Sequence, residues 1–348
     1  MAIGIPSTAH VLDKAAAGER LYYDEMVHLA QTADLTQLSE AATVARQRHN
    51  PGQHITYLRR HATVQAIPIN HAPATLGDGL ALIDWLHRNY SPLAADCLRP
   101  TDLLRFAAHT PLRDVLRQLA AAGLRLVPGD EPDLLRLPAC NSHCYTPCAD
   151  QPVTAWFRVM REALKAGLDT TAAAVVTETT APEDYVRHLH RIRILQDYAL
   201  RTHGSGFLAF SVIPEQMSPI AHMRAVALAR IFLDNIPYHQ VRSVHHNPAL
   251  LASAFSFGVD DVGAIGITTL YDPSTPAAWA TLETQVQQTI RAAGLFPARR
   301  DYAYNILNTL ETDTYNELSA PISSQDYPVR LSLQEQQREP VLFQACLN

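Results

Sequence analysis

The sequence predicts an α/β protein of the TIM-like (β/α) barrel class, seven-stranded or otherwise incomplete, with N-terminal helices and a C-terminal extension. Two observations carry this. From about residue 60 onward, short apolar runs alternate with amphipathic stretches of helical period, and no Asn-Gly hairpin signal falls between them. Such runs read as parallel strands joined by helices. Seven of these units in one series favour a closed or nearly closed barrel over an open sheet. The division expected is residues 1–58 as a helical segment packed on the barrel, 59–312 as the barrel, and 313–348 as a polar extension.

Residues 8–56 read as helical hairpins, and the turn His49-Asn50-Pro51-Gly52 sets them off from the rest of the chain. Strands are expected at Ala62–Ile69, Pro92–Leu98, Leu124–Val127, Thr170–Val176, Phe207–Ile213, His239–Val244 and Val262–Ile267. Between the first two, Leu76-Gly77-Asp78-Gly79 leads into a helix over Leu80–Asn89. In Val153–Ala166, Trp156, Phe157, Met160, Ala163 and Leu164 form one apolar face, ended by Gly167. In Pro182–His203, Pro182 suits the first turn, Tyr185, Leu189, Ile192, Leu195 and Ala199 make the stripe, and Gly204 supplies the stop. His188 and His190 are two apart on that helix, share no face, and read as surface residues. Beyond Asp313 the composition turns polar.

With 348 residues, 47% apolar and 18% charged, the chain has the make-up of a packed protein. Its net charge, 28 − 34 = −6, argues against a nucleic-acid partner, which a basic stripe would announce. No apolar run is long enough to span a bilayer, and Asp13, Lys14, Glu19 and Arg20 interrupt the first thirty residues. A cytoplasmic protein with no membrane partner is the expectation.

In a (β/α) barrel, chemistry sits at the C-terminal ends of the strands and in the loops after them. Cys97 closes the second expected strand, and Cys140, Cys144 and Cys148, with His143 among them, come after the third. Thiolates so grouped suit Zn²⁺ or an iron–sulfur cluster, though the spacing is not that of paired Cys-x2-Cys ribbons. The alternative is a few reduced, unpaired cysteines in an irregular loop. The five cysteines (Cys346 is the last) are too few for a disulfide framework. His71 comes after the first strand, Asp130 after the third, Glu178 after the fourth and His245-His246 after the sixth. Together they make a candidate set for a small-molecule ligand or a divalent metal, with Glu178, His245 and His246 as acid–base candidates. Solvated loop side chains are the plainer alternative. No Gly-x-Ser-x-Gly elbow, phosphate-binding Gly-x4-Gly-Lys loop or His-Glu-x2-His helix occurs. The pair Asp260-Asp261 reads as partly structural.

A family likeness runs through roughly residues 8–307. It includes Ala15-Ala16-Ala17-Gly18-Glu19-Arg20-Leu21, His49-Asn50-Pro51-Gly52, Ile55-Thr56-Tyr57 and Leu112-Arg113-Asp114-Val115-Leu116. It continues with Ala229-Arg230-Ile231-Phe232-Leu233-Asp234-Asn235-Ile236-Pro237, Phe257-Gly258-Val259-Asp260-Asp261-Val262-Gly263 and Arg299-Arg300-Asp301. In these the chain resembles radical S-adenosylmethionine enzymes of the aminofutalosine synthase and cyclic dehypoxanthinyl futalosine synthase group, with the deazaflavin synthases alongside.

The resemblance implies a (β/α) barrel and, in relatives, three cysteines spaced Cys-x3-Cys-x2-Cys after the first barrel strand to hold a [4Fe–4S] cluster. Here those positions fall at Pro68, Ala72 and Thr75, so the S-adenosylmethionine-binding cluster is expected to be absent. One βα unit is also expected to be missing. A Gly-His-x-Glu pattern of relatives is replaced by Thr177-Glu178-Thr179-Thr180, acidic residues after the last strand by Gly266-Ile267-Thr268-Thr269, and a glycine-rich turn by Pro128-Gly129-Asp130-Glu131. Three functions stand as expectations. The chain binds a small metabolite or a partner enzyme, it is a repurposed non-radical or metal-dependent enzyme, or it is a structural subunit in a homo- or hetero-oligomer with an active relative.

Overall fold

The computed structural model describes residues 7–59, 73–90, 97–136, 152–241, 247–265 and 276–309. The first half holds α1 (Thr8–Ala17), α2 (Tyr23–Thr32), α3 (Leu35–His49), β1 (His54–Arg59), α4 (Leu76–Tyr90), α5 (Pro100–Phe106), α6 (Leu112–Ala122), β2 (Leu126–Val127), α7 (Pro132–Leu135) and α8 (Pro152–Lys165). The second half holds β3 (Asp169–Thr177), α9 (Pro182–His203), β4 (Phe207–Glu215), α10 (Pro219–Phe232), β5 (Tyr238–Val241), α11 (Pro248–Ser256), β6 (Asp261–Ile265), α12 (Pro276–Ala292), β7 (Phe296–Arg300) and β8 (Ile306–Thr309). These elements make two compact units. One takes in the described residues of Met1–Asn70 and Pro214–Pro321, the other those of His71–Ile213.

In the first unit the strand order is β5-β6-β1-β7-β8. β1 lies parallel to both β6 and β7, with Thr56 opposite Asp261 and Tyr57 opposite Arg299. β8 returns antiparallel to β7. Helices α3 and α10 pack together beside this sheet. Local chemistry starts and stops the helices. Asp34 and Gln37 exchange side-chain and backbone bonds at the start of α3, a reciprocal N-terminal cap. The last carbonyls of α1 and α2 have no partner within their own helices. Arg48 donates Nη2 to Ala15 and Ala16 at 2.5 and 2.9 Å, and Arg224 donates to Ala30 and Ala33 at 2.7 Å each.

The second unit has β2 parallel to β3, and β4 beside β3. Its core is aromatic. Trp156 is fully buried, stacks on Phe207 at 6.0 Å, meets Phe157 edge-on at 4.9 Å, and donates Nε1 to the Gly129 carbonyl at 2.8 Å. The Gln196 amide spans the start of β4, accepting from Phe207 N at 2.5 Å and donating to Phe207 O at 3.1 Å.

Five of the expected strands are present as β2 to β6, within a residue or two at most ends. Ala62–Ile69, most of Pro92–Leu98 and the polar extension 313–348 lie outside the described residues, while Cys97 and Leu98, which are described, are not in a strand. Three strands were not anticipated. β1 comes directly after the N-terminal helices, and β7 and β8 come after the last expected strand; β8 also breaks the all-parallel pattern.

His188 and His190 are not surface residues. They are 2% and 4% exposed, because α9 is buried on every side from His188 to Asp197. Two residues on opposite faces are both interior when the helix has no solvent face. The His188 Nε2 lies 2.9 Å from the Ala173 carbonyl and Nδ1 has no partner, so the ring is neutral with Nε2 as donor. Burial lowers its pKa to about 4, and burial with neighbouring Arg230 lowers that of His49 to about 3. In an unfolded chain these rings take up protons below about pH 6.5, so folding stability is lost as pH falls from about 6.5 toward 4. His188 alone accounts for about 2 kcal/mol between pH 7 and 5. Urea unfolding at pH 7 and pH 5 checks this, and His188→Phe is expected to remove about that much of the difference.

Candidate functional site

Each unit is built up from its strands. Along a strand successive side chains alternate between faces. In the first unit Thr56, Asp261 and Arg300 share one face, while Tyr57, Arg59 and Arg299 share the other and meet Glu283 of α12. On the first face Asp261 is fully buried and accepts four hydrogen bonds. They come from Thr56 Oγ1 at 2.6 Å, Gly263 N at 2.7 Å, and Arg300 Nε and Nη2 at 2.5 and 3.0 Å. Arg300 gives its remaining Nη1 to the Asp301 carbonyl at 3.0 Å and lies 3.7 Å over the Tyr304 ring. Gln240 donates to the Tyr304 hydroxyl, and the Tyr238 ring lies 5.0 Å from that of Tyr304. Burial works against the Arg300 charge, but Asp261, Tyr304 and Tyr238 together outweigh it, and the guanidinium pKa is raised.

On the opposite face Asp260 accepts from His239 N at 2.8 Å and Arg230 Nη2 at 3.1 Å. Burial pushes its carboxyl up to about 6, with Arg230 drawing it down. Gly258 makes room for this pair. Its φ is +89°, and a Cβ there would fall 2.5 Å from Arg230 Cγ. The Asp260-Asp261 pair thus serves the fold on both sides of the sheet. Tyr57, whose hydroxyl meets Glu283 at 2.9 Å, has its pKa pushed up to about 12, by burial first.

In the second unit the turn after β2 lies against β3. Gly129 N donates to Thr171 Oγ1 at 2.9 Å, and a Cβ on Gly129 would sit 1.8 Å from the Thr171 carbonyl oxygen, so only glycine fits. This approach places Asp130 and Glu131 beside the start of β3, because Val127 at the end of β2 pairs with Thr170, whereas Glu178 follows the far end of β3 at Thr177. Glu131 is buried and accepts from Thr101 at 3.0 Å; burial raises its pKa, opposed by Thr101 and Arg99. Glu178 is exposed within a turn closed by the bonds between Thr177 and Thr180. Asp130 and Cys97 are half-buried.

Of the residues singled out from sequence, Asp130 lies beside the first residues of β3 and Glu178 follows its far end, so the structure does not bring the two together. His71, Cys140, Cys144, Cys148, His245 and His246 lie outside the described residues, so neither the cysteine set nor the histidine set is assembled or broken up here. Among the described residues no three His, Cys, Asp or Glu side chains form a group able to hold a metal. Sequence reasoning missed Glu131, although it stands directly after Asp130. It also missed Arg300, which a period-of-two reading of Phe296–Arg300 would have turned to the same face as Ala298.

Thr75, at one of the three positions where the resemblance places cluster cysteines, is committed to a helix start. Its amide donates to Asp78 Oδ2 at 2.9 Å, and its hydroxyl accepts from Asp78 N at 3.2 Å just ahead of α4.

Arg300→Met strips Asp261 of its partner and leaves a buried carboxylate uncompensated. The expected loss is about 3–5 kcal/mol in chemical denaturation, with Asp261→Leu in the same chain restoring a large part of it.

No family model matches the sequence. Among curated proteins, the chain is 28% identical over 213 residues to a cyclic dehypoxanthine futalosine synthase of Halalkalibacterium halodurans, covering 58% of this chain and 55% of the relative. It is 23% identical to an aminodeoxyfutalosine synthase of Thermus thermophilus, covering 86% and 95%. It is 29% identical to a 5-amino-6-(D-ribitylamino)uracil–L-tyrosine 4-hydroxyphenyl transferase of Methanosphaerula palustris, covering 56% of each. The chain thus spans about half the length of several relatives it matches. Among solved structures, the FeFe-hydrogenase maturase HydG from Carboxydothermus hydrogenoformans superposes with a TM-score of 0.52 at 14% identity, covering 97% of this chain and 87% of that one. That match shows the fold, an incomplete (β/α) barrel as expected from sequence. No helix among the described residues is long and apolar enough to cross a membrane. By sequence the chain is similar to futalosine synthases and 4-hydroxyphenyl transferases, and by fold to HydG.

Proposed function

We propose that this chain is a non-canonical relative of the radical S-adenosylmethionine enzymes it resembles, working in the cytoplasm without the radical-initiating cluster. In this reading it holds a small metabolite, or an active partner enzyme, of a route related to menaquinone and futalosine metabolism. The observation that carries the reading is the donor set. Iron in a [4Fe–4S] cluster of this type needs three thiolates. Pro68 and Ala72 have no ligating atom, and Thr75 has a hydroxyl engaged at the start of α4. The residues present do not fit the cluster, and no chemical step is routed through one.

What the chain retains supports binding. The scaffold is secured by internally paired charges, and Asp130 after β2 and Glu178 after β3 are carboxylates suited to the hydroxyl and amino groups of a polar metabolite. His71, His245 and His246 remain ligand candidates in this reading by their places after expected strands. A second reading, a repurposed metal-dependent enzyme, is favoured by Cys140, Cys144 and Cys148 with three residues between neighbours and Cys97 closing the preceding expected strand.

Anaerobic purification with iron, sulfide and zinc analysis, and an assay for 5′-deoxyadenosine, tests both. The expected result is neither cluster nor cleavage of S-adenosylmethionine. About four irons per chain together with cleavage would overturn the first reading. Stoichiometric zinc lost in Cys144→Ala would replace it with the second.

A further inference from the structure

We propose that a cleft between the start of α6 and the middle of α8 binds the anionic end of a small molecule carrying a phosphate or carboxylate group. The proposal is independent of the reading above, because this cleft is walled by α6, α8 and the α5–α6 connection and involves none of the strand-end residues.

The cleft encloses about 540 Å³, within the span of small-ligand sites. Pro111 and Leu112 supply apolar wall, and the charged lining is Arg113, Arg158, Arg161 and Glu162, three guanidinium groups to one carboxylate. That carboxylate is already shared. Glu162 Oε1 takes Arg161 Nε at 3.3 Å and Lys165 Nζ at 3.1 Å. Arg161 is held in place, with its side chain only 14% exposed. Arg158, one helical turn before it and on the same face, has no hydrogen bond or ion pair among the described residues. Arg113 comes no closer than 3.6 Å to Asp114 and is 70% exposed.

An excess of fixed positive charge in a concave site of a chain with net charge −6 is a local arrangement, not a product of overall composition. Guanidinium forks match the paired oxygens of phosphate and carboxylate groups. The positive end of the 11-residue helix α6 adds little to this field, because Asp114 stands in its first turn, so the charge excess rests on the arginines. The surplus guanidinium at Arg158 beside the immobilised Arg161 is what separates this cleft from a solvated surface.

Calorimetric titration of the full chain with inorganic phosphate and, separately, citrate at constant ionic strength tests the proposal. Saturable binding is expected, weakened about tenfold by Arg158→Gln, which leaves the melting temperature unchanged because Arg158 bonds to nothing among the described residues. Arg88→Gln, at an exposed pair with Asp84 on α4, is expected to leave binding intact. Preference for phosphate assigns the site to phosphate monoesters, and preference for citrate assigns it to carboxylates. No saturation with either anion, or affinity equal in wild type and Arg158→Gln, overturns the proposal.

Discussion

The bond set around Asp261 is the constraint on which the first unit depends. One carboxylate in a dry sheet interior accepts from β1 through Thr56, from its own strand through Gly263 and from β7 through Arg300. Taking a carboxylate and a guanidinium out of water costs several kcal/mol each, and the cost is met only when every lone pair and N–H finds a partner in register. A slip of one residue in β1 or β7 would turn Thr56 or Arg300 to the opposite face and leave Asp261 bare. The pair therefore specifies alignment more than it adds stability. It also explains why β1 sits between β6 and β7, strands that lie far from it in the chain.

The same logic recurs wherever this chain uses arginine. Lys14 and Lys165 are the only lysines, and arginines make many of the long-range polar connections of the fold. Arg48 and Arg224 each reach across to the carbonyls at the end of a neighbouring helix, two oxygens per side chain. Arg230 joins α10 to Asp260 and to the Pro237 carbonyl. A planar fork with fixed donor directions satisfies two acceptors at once, where an ammonium acts as a point charge. Arg158 stands out against this habit, since its fork meets no acceptor among the described residues.

How far the fold could be read from sequence varied with how locally each element is determined. β3 and β4 were legible because their apolar residues are buried against whatever adjoins them, and α9 because Pro182, its stripe and Gly204 mark it from within. β7 was not. Phe296–Arg300 contains a proline and two arginines, and it becomes a strand because Glu283 and Asp261, distant in sequence, neutralise those arginines on opposite faces. β1 failed for a similar reason, its Thr56 and Tyr57 depending on Asp261 and Glu283. His188 and His190 were misjudged because helical period tells which residues share a face, not how many faces are covered. The rule about strand ends pointed to Asp130 and Glu178 without showing that β2 stops beside the start of β3, and the burial of Glu131 depends on the close approach of Gly129 to Thr171, which composition does not reveal.

These dependencies bear on what holds such a scaffold together. Where a metal holds a fold together, its binding energy is part of the folding energy, and loss of its ligands unfolds the chain. Here the buried charges that organise the sheet are neutralised by one another: Asp261 by Arg300, Asp260 by Arg230, Glu283 by Arg299. None of these pairs uses the positions Pro68, Ala72 or Thr75. Thr75 has even been given a conventional task at the start of α4, where its exchange of bonds with Asp78 satisfies backbone donors that the helix itself leaves open. The sheet is thus held by residues other than those at these three positions. A barrel arranged in this way can change the residues at its strand ends without disturbing the pairs that set its register, and the two can diverge independently.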